Sequence, residues 1–153
     1  MIVLTDFRRH FSNAFFPRLS EWMMAGHLLL LGYILTTNTM LMQTGKESHR
    51  FLLMIADQNG WAIMLLLLGL VRFIILIING AYRRSPHLRA LTAVLSCFVW
   101  FQVAVSFYSI MGWAFAAYAI ASITDLMNIM RCMRDARIVD DAHRHGASTG
   151  GQS

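Results

Sequence analysis

Charged residues are scarce in this sequence. They make up 14% of its 153 positions, whereas hydrophobic residues make up 57%. A soluble domain carries about 25% charged and about 45–50% apolar residues, so this composition argues against a soluble fold and predicts an integral membrane protein. A separate soluble domain is not expected at this length. The net charge of +5 would suggest nucleic-acid binding in a soluble protein. Here it is expected at cytoplasmic ends that face anionic lipid, and no nucleic-acid partner is expected.

Recognisable catalytic motifs are also missing. The sequence has no CxxC, no HExxH and no glycine-rich phosphate loop, so neither an enzyme nor a bound cofactor is expected. The two cysteines, Cys97 and Cys132, are predicted to lie at different depths and to stay reduced. Glu21 and His27 lie six residues apart on one helix and do not face the same point. No metal site is therefore expected.

The hydrophobic residues form runs that are long enough to cross a bilayer. Residues 61–78 contain one charged residue, Arg72, and a helix of this length spans about 27 Å, close to the ~30 Å hydrocarbon core. Three other runs have the same character. The sequence therefore predicts an all-α integral membrane protein with four transmembrane helices, at about residues 22–42, 61–78, 88–108 and 111–130.

Shorter helices are predicted before the first two spans. Phe7, Phe11 and Phe15 recur every fourth residue and share one helical face, which indicates an amphipathic N-terminal helix in the headgroup region. Residues 51–60 are too short to span, and we expect them to form an interfacial helix that turns into the second span. No cleavable signal peptide is apparent, so the first span is expected to remain in the mature protein.

The remaining segments are predicted to be connections and a tail. Loops are expected at residues 43–50 and 79–89, and a very short connection follows the third span. The fourth helix is expected to continue into water to about residue 142. Residues 1–142 would thus form a single membrane domain, and residues 143–153 would form a disordered tail.

Basic residues predict the orientation. Four spans place both termini on the same side of the membrane. That side would carry ten arginines, and the other side only Lys46 and Arg50. Because basic residues mark cytoplasmic loops, both termini are expected in the cytoplasm. Eight of these arginines are predicted to be lipid-facing basic anchors: Arg8, Arg9, Arg18, Arg83, Arg84, Arg89, Arg131 and Arg134.

The spans carry polar residues at matching depths. Arg72 lies six residues before Ile78, where its span ends, and Asp125 lies six residues before Arg131, which follows the fourth span, so both are placed about 9 Å inside the same interface. A lone arginine in the bilayer costs roughly 2.5–3.5 kcal/mol and needs a partner. We therefore predict that Arg72 and Asp125 form a buried pair. His27, Glu21, Ser96 and Ser122 are expected in the same polar layer, with His27 or Glu21 as a third member of the pair.

Two interpretations of this layer remain open. In the first, the pair fixes helix register and topology. In the second, it is a proton- or ion-sensitive site, because ionisable groups in membranes are candidate functional sites by default. The first is preferred, since a single pair has no relay on either side of it.

The middle of the chain resembles a known group of proteins. The similarity covers about residues 50–137 and rests on Trp61-Ala62 at the start of a span, Arg72, the segment NGAYRRSPHLR, Trp100, Asp125 and the Arg-Asp-Ala sequence at 134–136. It resembles small four-span membrane proteins encoded by tailed bacteriophages and prophages. The resemblance implies a phage-encoded protein of the bacterial inner membrane, and it supplies no catalytic residue.

Three classes of function follow. The first is a non-enzymatic protein that alters the host membrane, of which a homo-oligomeric, holin-like pore is the most concrete version. The second is a partner-binding membrane protein, such as a superinfection-exclusion or anchoring factor. The third is a small channel or transporter subunit that uses the Arg72–Asp125 layer.

Overall fold

The computed structural model describes residues 18–44, 46–81, 86–109 and 111–149. The amphipathic helix predicted at the N-terminus lies outside these ranges. Within them the chain is helical and contains no strand. The helices are α1 (Leu19–Thr37), α2 (Leu41–Thr44), α3 (Lys46–Ile55), α4 (Gln58–Ala81), α5 (Pro86–Ser106) and α6 (Trp113–Thr149).

Four of these helices, α1, α4, α5 and α6, are long and apolar enough to cross a membrane. This confirms the predicted fold class. The short helix α3 precedes the second span, as expected. We refer to the side of the bundle that carries α3 and the turn from α5 to α6 as the α3 end. The side where α1 and α5 begin and from which α6 extends is called the tail end.

The first span ends at Thr37, five residues before the predicted boundary at 42. Asn38 terminates it, because its side-chain amide donates to the Ile34 carbonyl at 3.2 Å. Gln58, at the start of α4, also hydrogen-bonds to this end of α1. Its Nε2 atom donates to the carbonyls of Leu35 at 2.8 Å and Asn38 at 2.5 Å, so it satisfies one carbonyl of the last turn of α1 and that of the C-cap residue.

The segment between the first two spans is more helical than predicted. Residues 46–50 were expected in a loop but form the first half of α3. The turn into the second span comes earlier than expected, since only Ala56 and Asp57 separate the two helices and α4 begins at Gln58. Asp57 explains that boundary, because its Oδ1 atom accepts from the Gly60 N–H at 2.9 Å and caps α4.

The predicted loop at 79–89 is shorter than expected, because Asn79–Ala81 end α4 and Pro86 begins α5. Proline suits the first helical position, where its missing N–H costs nothing. Helix α6 runs for 37 residues, which corresponds to about 55 Å. Its backbone is helical to Thr149, beyond the predicted helix end near residue 142, and the disordered tail stays a prediction.

The four spans pack as two pairs. Helix α1 packs chiefly on α4, and α5 packs chiefly on α6. Two buried glycines allow α1 and α4 to approach closely. A Cβ atom on Gly32 would lie 3.0 Å from the Leu66 backbone nitrogen, and one on Gly69 would lie 3.0 Å from the Leu29 backbone nitrogen. Small residues at such contacts are typical of membrane helices, which gain little from the hydrophobic effect within lipid.

Candidate functional site: a buried ionic network between two helix pairs

Arg72 and Asp125 form a bidentate ion pair between α4 and α6. Arg72 Nη1 lies 2.8 Å from Asp125 Oδ2, and Nη2 lies 2.5 Å from Oδ1. Both residues are almost fully buried, with 2% and 0% of their surfaces exposed. The two residues, which the helical rise places at the same depth, therefore form the predicted ion pair. The planar guanidinium matches the carboxylate in two parallel hydrogen bonds, the strongest geometry for such a pair.

Two further side chains complete the hydrogen bonding of Asp125. The Ser96 hydroxyl on α5 donates to Oδ2, as its predicted place in the layer requires. Asn128 Nδ2, one turn further along α6, donates to Oδ1 at 3.1 Å. A buried carboxylate is tolerated when its oxygens are satisfied in this way. Asp125 thus joins α4, α5 and α6 at one point.

A second ion cluster lies nearer the tail end and is centred on Arg89. Its Nε atom donates to Glu21 Oε2 at 2.9 Å, Nη2 pairs with Glu21 Oε1, and Nη1 contacts Asp135 Oδ2 at 3.1 Å. Arg89 and Glu21 are buried, with 4% and 2% of their surfaces exposed. The cluster connects α1, α5 and α6. Among the ion pairs of the described residues, Arg89–Glu21 is thus a second buried arginine–carboxylate pair, which the sequence did not predict.

The position of Arg89 corrects two predictions. Arg89 is not a lipid-facing anchor, and Glu21 is not a third member of the Arg72–Asp125 pair. The physical reason is that α5 starts at Pro86, so Arg89 lies in the first helical turn and its side chain enters the bundle. There it meets Glu21, which lies in the first turn of α1. A count of basic residues in a loop cannot separate an exposed arginine from one that binds a buried carboxylate.

Helix α6 aligns the two clusters. Asp125, Asn128, Cys132 and Asp135 recur at intervals of three and four residues and so share one helical face. Asn128 also links this face to α1, because the Ser20 hydroxyl donates to its Oδ1 at 2.7 Å. From Asp125 to Asp135 the helix rises about 15 Å. We call the polar side chains over this length the ionic network. It consists of Ser20, Glu21, Arg72, Arg89, Ser96, Asp125, Asn128 and Asp135.

The ionic network lies between the two helix pairs. Arg72 of the α1/α4 pair binds Asp125 of the α5/α6 pair. Glu21 of the first pair binds Arg89 of the second. The expectation of a single isolated pair is therefore wrong. The arrangement clamps the two halves of the bundle together by charge.

His27 lies deeper. Within the described residues it makes no hydrogen bond or ion pair with Arg72 or Asp125, and its interaction with Asp125 is electrostatic only. Its ring instead packs on Trp100, with a centroid separation of 4.4 Å, and faces Tyr118 at 6.2 Å. Phe107 extends this aromatic group toward the α3 end, with its ring 5.5 Å from Tyr118. The network therefore gives way to an aromatic layer in the other half of the bundle.

Ser122 belongs to a separate contact. Its hydroxyl approaches the Cys97 carbonyl at 3.5 Å, and the Cys97 thiol donates to the Ser122 carbonyl at 3.4 Å. These bonds join α5 to α6 within one helix pair. Ser122 lies one turn from Asp125 on the same face of α6, and within the described residues it makes no hydrogen bond to the network.

The other predicted basic anchors differ in their surroundings. Arg18 is half-buried, with its Nη1 atom 3.5 Å from the Asn79 carbonyl. Arg131 and Arg134 are exposed on α6, which is compatible with a position among lipid headgroups. Arg8, Arg9, Arg83 and Arg84 lie outside the described residues.

Three structural residues escaped the sequence reasoning: Gln58, Asn128 as a bridge, and Asp135. Gln58 is buried at the start of α4, where its Oε1 atom also accepts from the Met42 N–H at 2.9 Å. The signal available for Asp135 was its spacing of ten residues from Asp125 on one face. Gln58 offered no comparable signal, because its three backbone partners belong to another segment.

No protein family, curated protein or solved structure matches the chain. Among the described residues, no group of three or more His, Cys, Asp and Glu side chains is placed to hold a metal ion. In the same part of the chain, Trp100 Nε1 is the single buried side-chain nitrogen or oxygen without a hydrogen-bond partner. The ionic network is internally satisfied.

Proposed function

We propose that this chain is a non-enzymatic, phage-encoded protein of the bacterial inner membrane that binds a partner there, as a superinfection-exclusion or anchoring factor. The resemblance of residues 50–137 to small phage membrane proteins supports the context. The observation that carries the partner-binding role is the closed ionic network. Its buried charged side chains, Glu21, Arg72, Arg89 and Asp125, all have partners within the same chain.

A self-paired network is a poor basis for conduction. Ions or protons that cross a membrane need polar groups that face a water-filled space and exchange partners. Here each arginine holds its carboxylate in two hydrogen bonds, and breaking either pair would leave a charge unpaired in lipid. The closed pairing of these charges argues against a channel or transporter subunit. It favours a rigid membrane protein whose activity resides on its surface.

A holin-like pore is the second candidate, and one observation favours it. Only 17% of the spanning window of α6 is buried within the bundle, against 33–44% for the other three spans. Helix α6 therefore has the largest free surface for contact with further copies of the chain. Such a pore would still need a polar lining, and the polar groups described above point into the monomer.

Inducible expression in a bacterial host separates these classes. Membrane potential, growth and the amount of protein in the membrane fraction are followed together, for the wild type and for Asp125→Asn at matched protein level. The partner-binding role predicts accumulation without depolarisation in both. Abrupt depolarisation and growth arrest after a delay would favour the holin-like pore. An ion flux lost in the variant while the protein remains folded would favour the channel or transporter.

A positive test of the exclusion role uses phage infection of the same host. Expression is expected to lower the plating efficiency of related phages while phage adsorption to the cells stays unchanged. Unchanged plating of every phage tested would contradict superinfection exclusion. Cross-linking of the expressed protein in phage-infected cells then tests the anchoring role, which predicts one recurrent adduct.

The proposed orientation places the tail end in the cytoplasm. Nine arginines lie on the tail side even when the ion-paired Arg89 is excluded. The α3 side has only Lys46 and Arg50. A fluorescent protein fused after residue 153 is expected to fluoresce, whereas alkaline phosphatase at that position is expected to be inactive. The opposite pattern would contradict the proposed orientation. The arginines proposed to contact anionic lipid are the predicted anchors other than Arg89, namely Arg8, Arg9, Arg18, Arg83, Arg84, Arg131 and Arg134.

A further inference from the structure

Helix α3 lies at the level where the spans end. Its Ser48 carbonyl accepts a hydrogen bond from Ser106, the last residue of α5. Its Leu52 carbonyl accepts from Trp61 Nε1 at 2.8 Å, near the start of α4. The His49 ring packs against Phe107 in the turn after α5, with a centroid separation of 5.1 Å. These contacts place α3 across the α3 end of the bundle, at the level where α5 ends and α4 begins.

One face of α3 is directed away from the bundle. Glu47, Arg50, Phe51 and Met54 recur at intervals of three, one and three residues, so they share that face. All four are exposed, and Met54 is 71% exposed. The charged residues occupy the first half of the face and the apolar residues the second half. This polarity suits a helix that meets headgroups at one end and acyl chains at the other.

A shallow, open pocket of about 420 Å³ lies on this helix. It is lined by Glu47, Arg50, Leu53 and Met54. Within the described residues, neither Glu47 nor Arg50 forms an ion pair. Residues three apart on a helix have Cβ atoms about 5–6 Å apart. One anionic and one cationic group thus border the same apolar hollow at short range.

We propose that this pocket binds the headgroup of a zwitterionic phospholipid with a primary ammonium, namely phosphatidylethanolamine. The Arg50 guanidinium hydrogen-bonds the lipid phosphate, for which its planar fork is suited. The Glu47 carboxylate accepts hydrogen bonds from the ammonium group. Leu53 and Met54 contact the upper part of the acyl chains. The inference depends on a membrane location and not on the identity of any protein partner.

Charge complementarity distinguishes this ligand from other lipids. An anionic headgroup such as phosphatidylglycerol would satisfy Arg50 but would face the like charge of Glu47. The quaternary ammonium of phosphatidylcholine has no N–H to donate to Glu47. The pair of opposite charges therefore selects a headgroup that carries both a phosphate and an N–H cation.

The test is native mass spectrometry of the full-length protein, released from nanodiscs that contain equal amounts of the ethanolamine, glycerol and choline phospholipids. The wild type is expected to retain phosphatidylethanolamine about tenfold over phosphatidylcholine, a ratio that corresponds to about 1.4 kcal/mol. Glu47→Gln should abolish this preference, and Arg50→Gln should abolish retention of both the ethanolamine and glycerol lipids. Asp141→Asn and Arg137→Gln, matched changes at exposed positions of α6, should leave retention unchanged.

Three results would overturn the proposal. Equal retention of all headgroups would show that the pocket is not selective. Preferred retention of phosphatidylglycerol, sensitive to Arg50→Gln alone, would indicate an anionic-lipid site. A preference for phosphatidylethanolamine that survives Glu47→Gln would assign it to another part of the protein. Because both residues are exposed, thermal unfolding of the two variants in detergent should match the wild type and confirm that each is folded.

Discussion

Arg89 Nη1 lies 3.1 Å from Asp135 Oδ2 while the other two nitrogens of the same guanidinium bind Glu21. One side chain thus connects three helices at the tail end. The Asp135 side chain remains 36% exposed, whereas those of Arg89 and Glu21 are 3% exposed. The cluster therefore runs from the surface of the bundle into its interior and lies between the two helix pairs.

This arrangement predicts that Arg89 is far more important for stability than an exposed arginine of the same end. Arg89→Gln leaves Glu21 buried and unpaired, which should reduce the free energy of unfolding by about 3–5 kcal/mol. The matched change Arg134→Gln, at an exposed position, should alter it by less than about 0.5 kcal/mol. Unfolding in mixed micelles with increasing denaturing detergent measures both. Equal effects would mean that Arg89 acts only as an interfacial anchor.

The close approach of α1 and α4 predicts opposite outcomes for three glycines. Ala at Gly32 or Gly69 would bring a Cβ to 3.0 Å from a backbone nitrogen of the facing helix, and we expect a loss of about 1–3 kcal/mol in unfolding free energy. At Gly26, by contrast, a Cβ would have no neighbouring atom within 4 Å. Gly26→Ala should therefore stabilise the helix by up to about 1 kcal/mol. Destabilisation by all three changes in the same detergent assay would contradict the packing described here.

The hydrogen bonds of Gln58 predict that its replacement lowers stability locally, at the α3 end of the bundle. Gln58→Ala removes the donor to the Leu35 carbonyl and the acceptor for the Met42 N–H, and both of these residues are buried. We expect a loss of about 1–3 kcal/mol. Hydrogen exchange of the Met42 amide should become faster, while exchange in the middle of α5 should not change.

Asn59→Ala is the matched control for Gln58, because Asn59 is the neighbouring residue and is exposed. This variant should leave Met42 exchange unchanged. If both variants accelerate it equally, the protection of Met42 arises from the helix start and not from the Gln58 side chain.

Much of this architecture could be predicted from sequence because the helical rise converts residue counts into depths. Arg72 and Asp125 each lie six residues from a boundary, and that count alone placed them in one layer. Ser96 was found by the same reasoning. Within the described residues, the spans follow from the length and apolarity of the runs.

The rest depended on helix boundaries and on which helices pack together. Pro86 falls in the predicted loop, so Arg89 was assigned to the surface, although proline also starts helices. The partner of Glu21 could not be chosen from sequence, since Arg72 and Arg89 were both within its reach in depth. The packing of α1 on α4 and of α5 on α6 determines that Glu21 binds Arg89 and not Arg72. Gln58 binds backbone groups 16 to 23 residues away, which no periodicity reveals.

The central claim is that buried charge pairs clamp the two helix pairs together, and a double-mutant cycle on Arg72 and Asp125 tests it most directly. Arg72→Met and Asp125→Asn each leave one buried charge unpaired, so each should lower the unfolding free energy by about 3–5 kcal/mol. The combined variant removes both charges and keeps an oxygen for Ser96 and Asn128. It should be more stable than either single variant. Additive losses in the combined variant would contradict the clamp.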